Sequence, residues 1–295
     1  MDERLKAEFI RLIGCSVTDK KFDFGDFDDF NGLAGLISGQ NVFSLVRDKI
    51  EDSGAPANFK DYVNRKHLSA VNQQIQQDYY CEVIFGNLEK LGVEYLPFKG
   101  GAVRKYYPRP EMRTSCDVDF LVRESDLPKV RETLSSLGFE KQAEANDQSC
   151  HDGWEINKTV HVEPHIRLFN ETYEGFGDDV WETAVKTSAL GRAFSAEKNF
   201  VYVALHSFKH FSHGGGGVKS VLDLLILSRA VDPKSPYIAD SLKKFGIGKF
   251  VGKMLDVARL WTEGAGADDR ETVVISDYIL DGGAYGSSAA SAILG

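Results

Sequence analysis

The sequence of 295 residues predicts an α/β fold of the α+β kind, in which a small mixed sheet is flanked by helical segments. Two observations predict it. Apolar residues recur at helical spacing towards both ends of the chain, whereas the middle contains short strand-like runs, turns and one helical pattern. A strand–helix–strand order followed by more strands is typical of a mixed sheet with helices packed on it. We expect a helical N-terminal region (1–91), an α/β core (92–177) and a helical C-terminal domain (178–295).

The N-terminal region is predicted to be mainly helical. Its patterns are DERLKAEFIRLIG, NVFSLVRDKIE and a long stretch from Asn58 to Leu91 with an approximate apolar stripe. Gly92 follows this stretch and predicts its end, because glycine readily adopts the left-handed conformation found at helix C-termini. We find no motif in this region that points to a function.

The α/β core is predicted to begin with a strand, VEYLPFK (93–99), and a short helix, AVRKYY. The run CDVDFLV (116–122) alternates polar and apolar residues, which predicts another strand. SDLPKVRETLSSLG is predicted to be a helix with Ser125 as its N-cap and Gly138 at its end. Further strands are expected in FEKQAE, GWEINK and TVHVEPHIRL.

The C-terminal domain is predicted to be helical from about Asp178. Its helical patterns are NFVYVALHSFKHF, VKSVLDLLILSRAV and GKFVGKMLDVARLWTEG. The glycine run 214–217 joins the first two patterns. It lacks the Gly-Lys-Ser/Thr ending of a phosphate-binding P-loop, which favours a flexible connector.

Composition excludes several classes of function. The formal net charge of −9 argues against extended nucleic-acid binding through overall electrostatics. The four cysteines show no close-paired metal spacing, and we expect free thiols in a reducing compartment. The chain begins with charged residues and has no run near the roughly 20 apolar residues that span a bilayer. We therefore expect a cytoplasmic protein without membrane contacts.

Two aspartates in a predicted strand carry the functional hypothesis. Side chains alternate along a strand, so Asp117 and Asp119 point to the same face, about 7 Å apart at their Cα atoms. An unpaired charge is costly in a buried strand, and paired carboxylates suit a hard cation such as Mg²⁺ or Mn²⁺. Glu163, in a later predicted strand, completes a site for two metals if the two strands are neighbours.

Basic and glycine residues upstream indicate phosphate binding. Lys99, Gly100 and Gly101 end one strand and open a predicted helix, where backbone N–H groups can approach a phosphate. Arg113 lies just before the aspartate strand, in a locally basic stretch of an acidic protein. We expect these four residues to hold a triphosphate.

The order of these motifs resembles the nucleotidyltransferase superfamily that includes DNA polymerase β. That superfamily has a Gly-Gly or Gly-Ser turn, then Asp-x-Asp on a strand, then a third carboxylate on a later strand. More narrowly, the stretch from about Tyr95 to Ala230 resembles poorly characterised bacterial nucleotidyltransferases. The matching pieces are Lys99-Gly100, Tyr106, Arg113, Asp117-Val118-Asp119, Glu163-Pro164-His165 and His206…His210.

This resemblance implies a polymerase-β-like core and a reaction. A nucleoside monophosphate would pass from an NTP, with ATP the first candidate, to an unknown acceptor that is a small molecule or a protein. Asp117, Asp119 and Glu163 would be the catalytic and metal-binding residues. His165, His206 and His210 are candidate substrate contacts.

Other interpretations of these motifs stay open at this stage. The fold could serve a non-catalytic nucleotide-binding module, such as an antitoxin-like regulatory protein, or the aspartates could serve a metal-dependent phosphohydrolase. His206, His210 and His213 share one helix face and could instead bind zinc or simply pack. Arg113 could have a structural role, paired with an acidic neighbour such as Glu111 or Asp126.

Overall fold

The computed structural model describes residues 2–142, 151–169, 173–232 and 234–284. These residues form two compact units. The first unit lies within Met1–Ala70, Tyr106–Arg113 and Phe200–Gly295. The second unit lies within Val71–Lys105 and Thr114–Asn199. The division of the sequence at 91 and 177 stays a prediction.

Twelve helices are present in the described residues. They are α1 (Glu3–Thr18), α2 (Phe30–Gly39), α3 (Phe43–Glu51), α4 (Ala57–Lys90), α5 (Gly100–Val103), α6 (Leu127–Ser136), α7 (Val180–Thr183), α8 (Ala196–His213), α9 (Val218–Ser228), α10 (Pro236–Lys244), α11 (Gly248–Glu263) and α12 (Arg270–Gly282). Helices α4 and α8 each contribute residues to both units. No helix in this part of the chain is long and apolar enough to cross a membrane.

Seven strands are found within the same described ranges, and all of them lie in the second unit. They are β1 (Tyr95–Pro97), β2 (Asp117–Val122), β3 (Glu140–Lys141), β4 (Trp154–Ile156), β5 (Val160–His165), β6 (Val185–Lys186) and β7 (Arg192–Ala193). The first five form one sheet in the order β1-β2-β5-β4-β3, with β2 and β5 parallel and the other neighbours antiparallel. The predicted α/β class with a mixed sheet is therefore confirmed.

One face of the five-stranded sheet forms the core of the second unit. Phe120 and Val122 of β2 and Val162 of β5 pack there with α4 and α6, and Phe120 and Val162 are fully buried. Strand alternation places Asp117 and Asp119 on the opposite face, as predicted. Replacing a fully buried phenylalanine such as Phe120 with alanine costs about 3–5 kcal/mol, so this apolar face holds the strand in position.

The first unit is a helical assembly in which α1 packs against α2, α3 and α11, and α11 also packs against α9, α10 and α12. Phe9, Leu12 and Ile13 are the buried face of α1. The two helices α1 and α11 approach closely at Gly14, where a Cβ atom would collide with the carbonyl oxygen of Trp261. Glycine is therefore required at this crossing.

Most predicted elements are confirmed, and two details are wrong. Helix α4 and Gly92, whose φ is 71°, follow the prediction. Ser125 is not the N-cap of α6, because it lies in a 3-10 turn (Glu124–Asp126) and Asp126 takes the cap position. The chain after Asp178 is not helical at once: α7 is short and is followed by the hairpin β6–β7. Strands of two residues are too short to show an alternating pattern in a sequence.

Candidate active site

The parallel pairing of β2 and β5 brings three carboxylates together in the second unit. Asp119 lies opposite Glu163, and residues directly opposite each other in a sheet share a face. Asp117 lies one pleat away on that same face. The strand of Glu163 is thus the neighbour of the aspartate strand, which is the arrangement that a shared metal site requires.

Lys99 is held between two of these carboxylates. Strand β1 runs antiparallel to β2, and the amide of Phe98 donates to the Asp119 carbonyl oxygen, so the next residue lies beside Asp119. The Lys99 Nζ atom is 2.5 Å from Asp119 Oδ1 and 3.7 Å from Glu163 Oε2. Lys99 also has a φ of 54° and a ψ of −135°, a conformation that costs a non-glycine residue about 1–3 kcal/mol. The local fold therefore keeps a strained backbone at the lysine that compensates part of the site's negative charge.

The turn after Lys99 is short. Helix α5 begins at Gly100 and has only four residues, so it is a single turn rather than a long phosphate-binding helix. Gly100 is buried, whereas a Cβ atom on Gly101 would meet nothing within 4 Å. The backbone at Gly101 therefore faces open space, where a ligand can approach.

Two imidazoles lie beside the carboxylates. His165 is 3% exposed, and its Nε2 atom lies 3.0 Å from Asp119 Oδ1 and 3.4 Å from Glu163 Oε2. An ionised carboxylate has no proton to donate, so in the metal-free protein the His165 Nε2 N–H is the donor. The backbone of His151 forms an antiparallel β-bridge with that of His165, and the His151 Nε2 atom is 3.8 Å from Glu163 Oε2. The two rings stack with centroids 4.7 Å apart.

The site carries more negative than positive charge. Burial, together with the neighbouring charges of Glu163 and Asp119, raises the pKa of Asp117, which has no ion-pair partner among the described residues. Burial would also lower the pKa of Lys99, but its attraction to Asp119 outweighs burial and raises that pKa. One lysine thus faces three carboxylates, and the uncompensated charge and the oxygen donors fit a divalent cation.

Glu163 differs from Asp117 in its electrostatics. Burial would raise the pKa of the Glu163 carboxyl, but a hydrogen bond with His165 and the charge of Lys99 outweigh it and lower the pKa to about 2. Of these two carboxyl groups, Glu163 is therefore the one that ionises more readily, since its pKa is lowered whereas that of Asp117 is raised.

Two contributors to this site were missed by sequence reasoning. His151 lies before β4, and only the antiparallel pairing of this segment with β5 brings it next to His165. Gln77, a buried residue of α4, donates to the carbonyl oxygens of Ser115 and Cys116 at 3.3 and 2.8 Å and so anchors the segment that enters β2. Gln77 lies in the polar run NQQIQQD (72–78), so no local signal distinguished it from its neighbours.

Arg113 belongs to the first unit, where it pairs with a buried aspartate. Its guanidinium donates to Asp223 in a bidentate manner, with Nε–Oδ1 and Nη2–Oδ2 distances of 2.8 and 2.9 Å. The Tyr107 hydroxyl donates to the same carboxylate at 2.8 Å. The acidic partner is therefore Asp223 rather than Glu111 or Asp126. Phosphate binding by Arg113 stays a prediction.

His206 and His210 also lie in the first unit, on α8. Their Nε2 atoms are 3.0 Å apart, and the His206 ring stacks on Tyr202. His213 points its Nδ1 atom at the Lys209 carbonyl oxygen of its own helix, at 2.7 Å, and so does not join the pair. Substrate contact by His206 and His210 stays a prediction.

Comparison with known proteins identifies a family. The model of a protein family described as "Uncharacterised nucleotidyltransferase" matches residues 28–263, which is most of the chain. No curated protein has a matching sequence. The family match includes every residue that we placed in the site.

Three solved structures show limited similarity. A solution structure of the antibiotic-resistance factor ANT(2'')-Ia has 10% identity, a TM-score of 0.43 and covers 60% of this chain and 92% of that one. A crystal structure of ANT(2'')-Ia with adenylyl-2''-tobramycin has 13% identity, a TM-score of 0.41 and coverages of 58% and 97%. An antigenic nucleotidyltransferase-like protein from Paracoccidioides brasiliensis has 15% identity, a TM-score of 0.39 and coverages of 59% and 89%. Since all three TM-scores lie below 0.5, any function assigned to this chain rests on the family match and the site geometry.

Proposed function

Since the chain belongs to the family of uncharacterised nucleotidyltransferases, we propose that it moves a nucleoside monophosphate from an NTP to an acceptor and releases pyrophosphate. ATP is the first candidate donor, and the acceptor is a small molecule or a protein. One observation carries the proposal: Asp117, Asp119 and Glu163 lie side by side on one face of the β2–β5 pair. The acidic net charge of −9 makes a long nucleic acid an unfavourable acceptor.

Divalent metal binding is the first role of these carboxylates. Asp117 and Asp119 would hold Mg²⁺ or Mn²⁺, which would stabilise the charge that develops on the transferred phosphoryl group. Glu163 is a poor general base because its pKa is lowered to about 2, far from a neutral working pH. We therefore assign Glu163 to metal binding rather than to proton abstraction.

Lys99 is the phosphate-binding residue that the geometry supports best. Its ammonium group pairs with Asp119 and lies beside the open turn at Gly101. When Asp119 binds a cation, this pairing weakens and the ammonium group can bind triphosphate oxygens. Backbone N–H groups at Gly100 and Gly101 would add to this binding, and Arg113 stays a further proposed nucleotide ligand.

The test uses nucleotides labelled at two positions. The protein is incubated with Mg²⁺ and each NTP labelled at the α or the γ phosphorus, together with extracts of small molecules or proteins as acceptors. We expect the α label in an acceptor and the γ label in pyrophosphate. The γ label in inorganic phosphate would instead show a phosphohydrolase, and binding without turnover would show a regulatory module. Asp119→Asn is the control for a contaminating activity.

A further inference from the structure

We propose that His151, Glu163 and His165 bind a divalent transition-metal ion through two imidazole nitrogens and one carboxylate oxygen, with Zn²⁺ preferred over Mg²⁺. The inference rests on the proposed function in one respect, because Glu163 is shared with the proposed transfer site. Asp117 and Asp119 would then supply an oxygen-only position suited to Mg²⁺, beside a second position that contains nitrogen ligands.

The geometry of the three donors is close to that of a bound metal. One ligand atom from each residue lies within 4.8 Å of the others. The two Nε2 atoms lie 3.4 Å (His165) and 3.8 Å (His151) from Glu163 Oε2. Metal–ligand bonds of about 2.0–2.2 Å place tetrahedral ligand atoms roughly 3.3–3.6 Å apart, so small side-chain rotations suffice.

The backbone holds these donors in position. Glu163 and His165 are two residues apart on β5 and therefore share a face, and the bridge between His151 and His165 places the third donor opposite. His165 is buried, whereas the side chains of Glu163 and His151 are 25% and 35% exposed. The site thus has a fixed inner ligand and an open side through which an ion can enter.

The ligand types determine the choice of ion. Imidazole nitrogen suits Zn²⁺ and related transition metals, whereas Mg²⁺ prefers an octahedral shell of oxygen atoms and keeps several waters. A position with two nitrogen ligands is therefore selective against Mg²⁺ even when Mg²⁺ is abundant.

Calorimetric titration tests the selectivity. The full chain is freed of metal with a chelator and titrated separately with Zn²⁺ and Mg²⁺. We expect His151→Gln and His165→Gln each to lower Zn²⁺ affinity by at least about tenfold, and we expect His151→Gln to leave Mg²⁺ affinity unchanged. His161→Gln is the matched control, because His161 is on the same strand but outside the donor set, and it should keep Zn²⁺ affinity. Equal Zn²⁺ affinity in wild type and His151→Gln would overturn the proposal.

A second measurement covers the case in which the buried His165 variant fails to fold. Pulsed electron paramagnetic resonance of wild-type protein loaded with Cu²⁺, an ion that imidazole ligands suit, should show modulation from coordinated imidazole nitrogen, and His151→Gln should reduce it. Absence of nitrogen coupling in the wild type contradicts the metal site. Nitrogen coupling without nucleotidyl transfer would contradict the proposed function alone, and transfer without nitrogen coupling would contradict this inference alone.

Discussion

Two partly buried groups of charged residues, one in each unit, differ in their charge balance. In the first unit, Arg113 and Tyr107 both donate to Asp223, whose side chain is 7% exposed. In the second unit, Lys99 is the one ammonium group beside three carboxylates, and Asp117 has no ion-pair partner among the described residues. We call the first group balanced, because its charges pair with one another as in a structural ion pair. We call the second group unbalanced, because its excess of carboxylates needs a further cation.

This difference in charge balance separates a structural ion pair from a site that binds a ligand. A buried pair whose charges and hydrogen bonds are satisfied by each other holds its chain segments together without needing a further ligand. A buried site with excess charge is destabilising unless something binds there, so its persistence points to function. The strained backbone of Lys99 belongs to the unbalanced group, in keeping with this distinction.

The largest expected effect is on catalysis. Asp117→Asn or Asp119→Asn should reduce nucleotidyl transfer by about a thousandfold, because each change removes a ligand of the charge-stabilising cation. Mg²⁺ should raise the melting temperature of the wild type, more so with NTP, and this increase should disappear in both variants. Unchanged activity in either variant would contradict the two-metal proposal. Circular dichroism checks that both variants remain folded.

Substitution in the balanced group should instead change the stability of the fold. Asp223→Ala leaves the Arg113 charge buried without its carboxylate and should lower the free energy of unfolding by about 3–5 kcal/mol. Urea denaturation measures this change in the free energy of unfolding. Lys129 and Asp126 form a more exposed ion pair, so Lys129→Ala is the control and should cost less than about 1 kcal/mol. Equal losses in the two variants would remove the distinction between the groups.

Lys99→Met separates the two roles that we assign to this lysine. Removing the ammonium group should tighten Mn²⁺ binding in the absence of nucleotide, because the competing charge beside Asp119 is gone. The same variant should bind NTP about tenfold more weakly, since a charged hydrogen bond to phosphate is lost. Calorimetry measures both affinities. If both stay at wild-type values, Lys99 has neither role.

Arg113→Lys examines whether the balanced group also binds nucleotide. Lysine cannot reproduce the bidentate contact with Asp223, so the free energy of unfolding should fall by about 1–2 kcal/mol. Weaker NTP binding by the folded variant would support the proposed phosphate contact. Wild-type NTP affinity with a lowered melting temperature would assign Arg113 to structure alone.

The last expected effect is a change in acid stability. The pKa of Glu163 falls from 4.5 in the unfolded chain to about 2 in the folded one, so its stabilising contribution is present above pH 4.5 and is lost as the pH falls to about 2. Glu163→Gln should flatten the stability curve in this range. Asp117 has the opposite sign, because its raised pKa makes stability fall as the pH rises above 3.8. Unfolding of metal-free protein across this range, with Asp117→Asn for comparison, measures both effects.

The sequence by itself determined the strand that carries the aspartates and the helix that supports it. Alternation along 117–122 separates the acidic face from the apolar face without any knowledge of neighbours, because successive side chains of a strand point in opposite directions. The helical spacing of apolar residues over 58–91 likewise predicts the helix, because this periodicity is a property of the local sequence. The order of the Lys-Gly-Gly turn, Asp-x-Asp and Glu163 was also enough to indicate the family that the comparison identified.

Only the tertiary structure decided which residues meet. The pairing of Asp119 with Glu163, the position of His151 beside His165 and the partner of Arg113 all depend on contacts between distant parts of the sequence. Asp223 is 110 residues from Arg113, and no local pattern relates the two. Strand register and helix packing follow from burying apolar faces that extend over whole elements, and polar partners are then positioned by that burial.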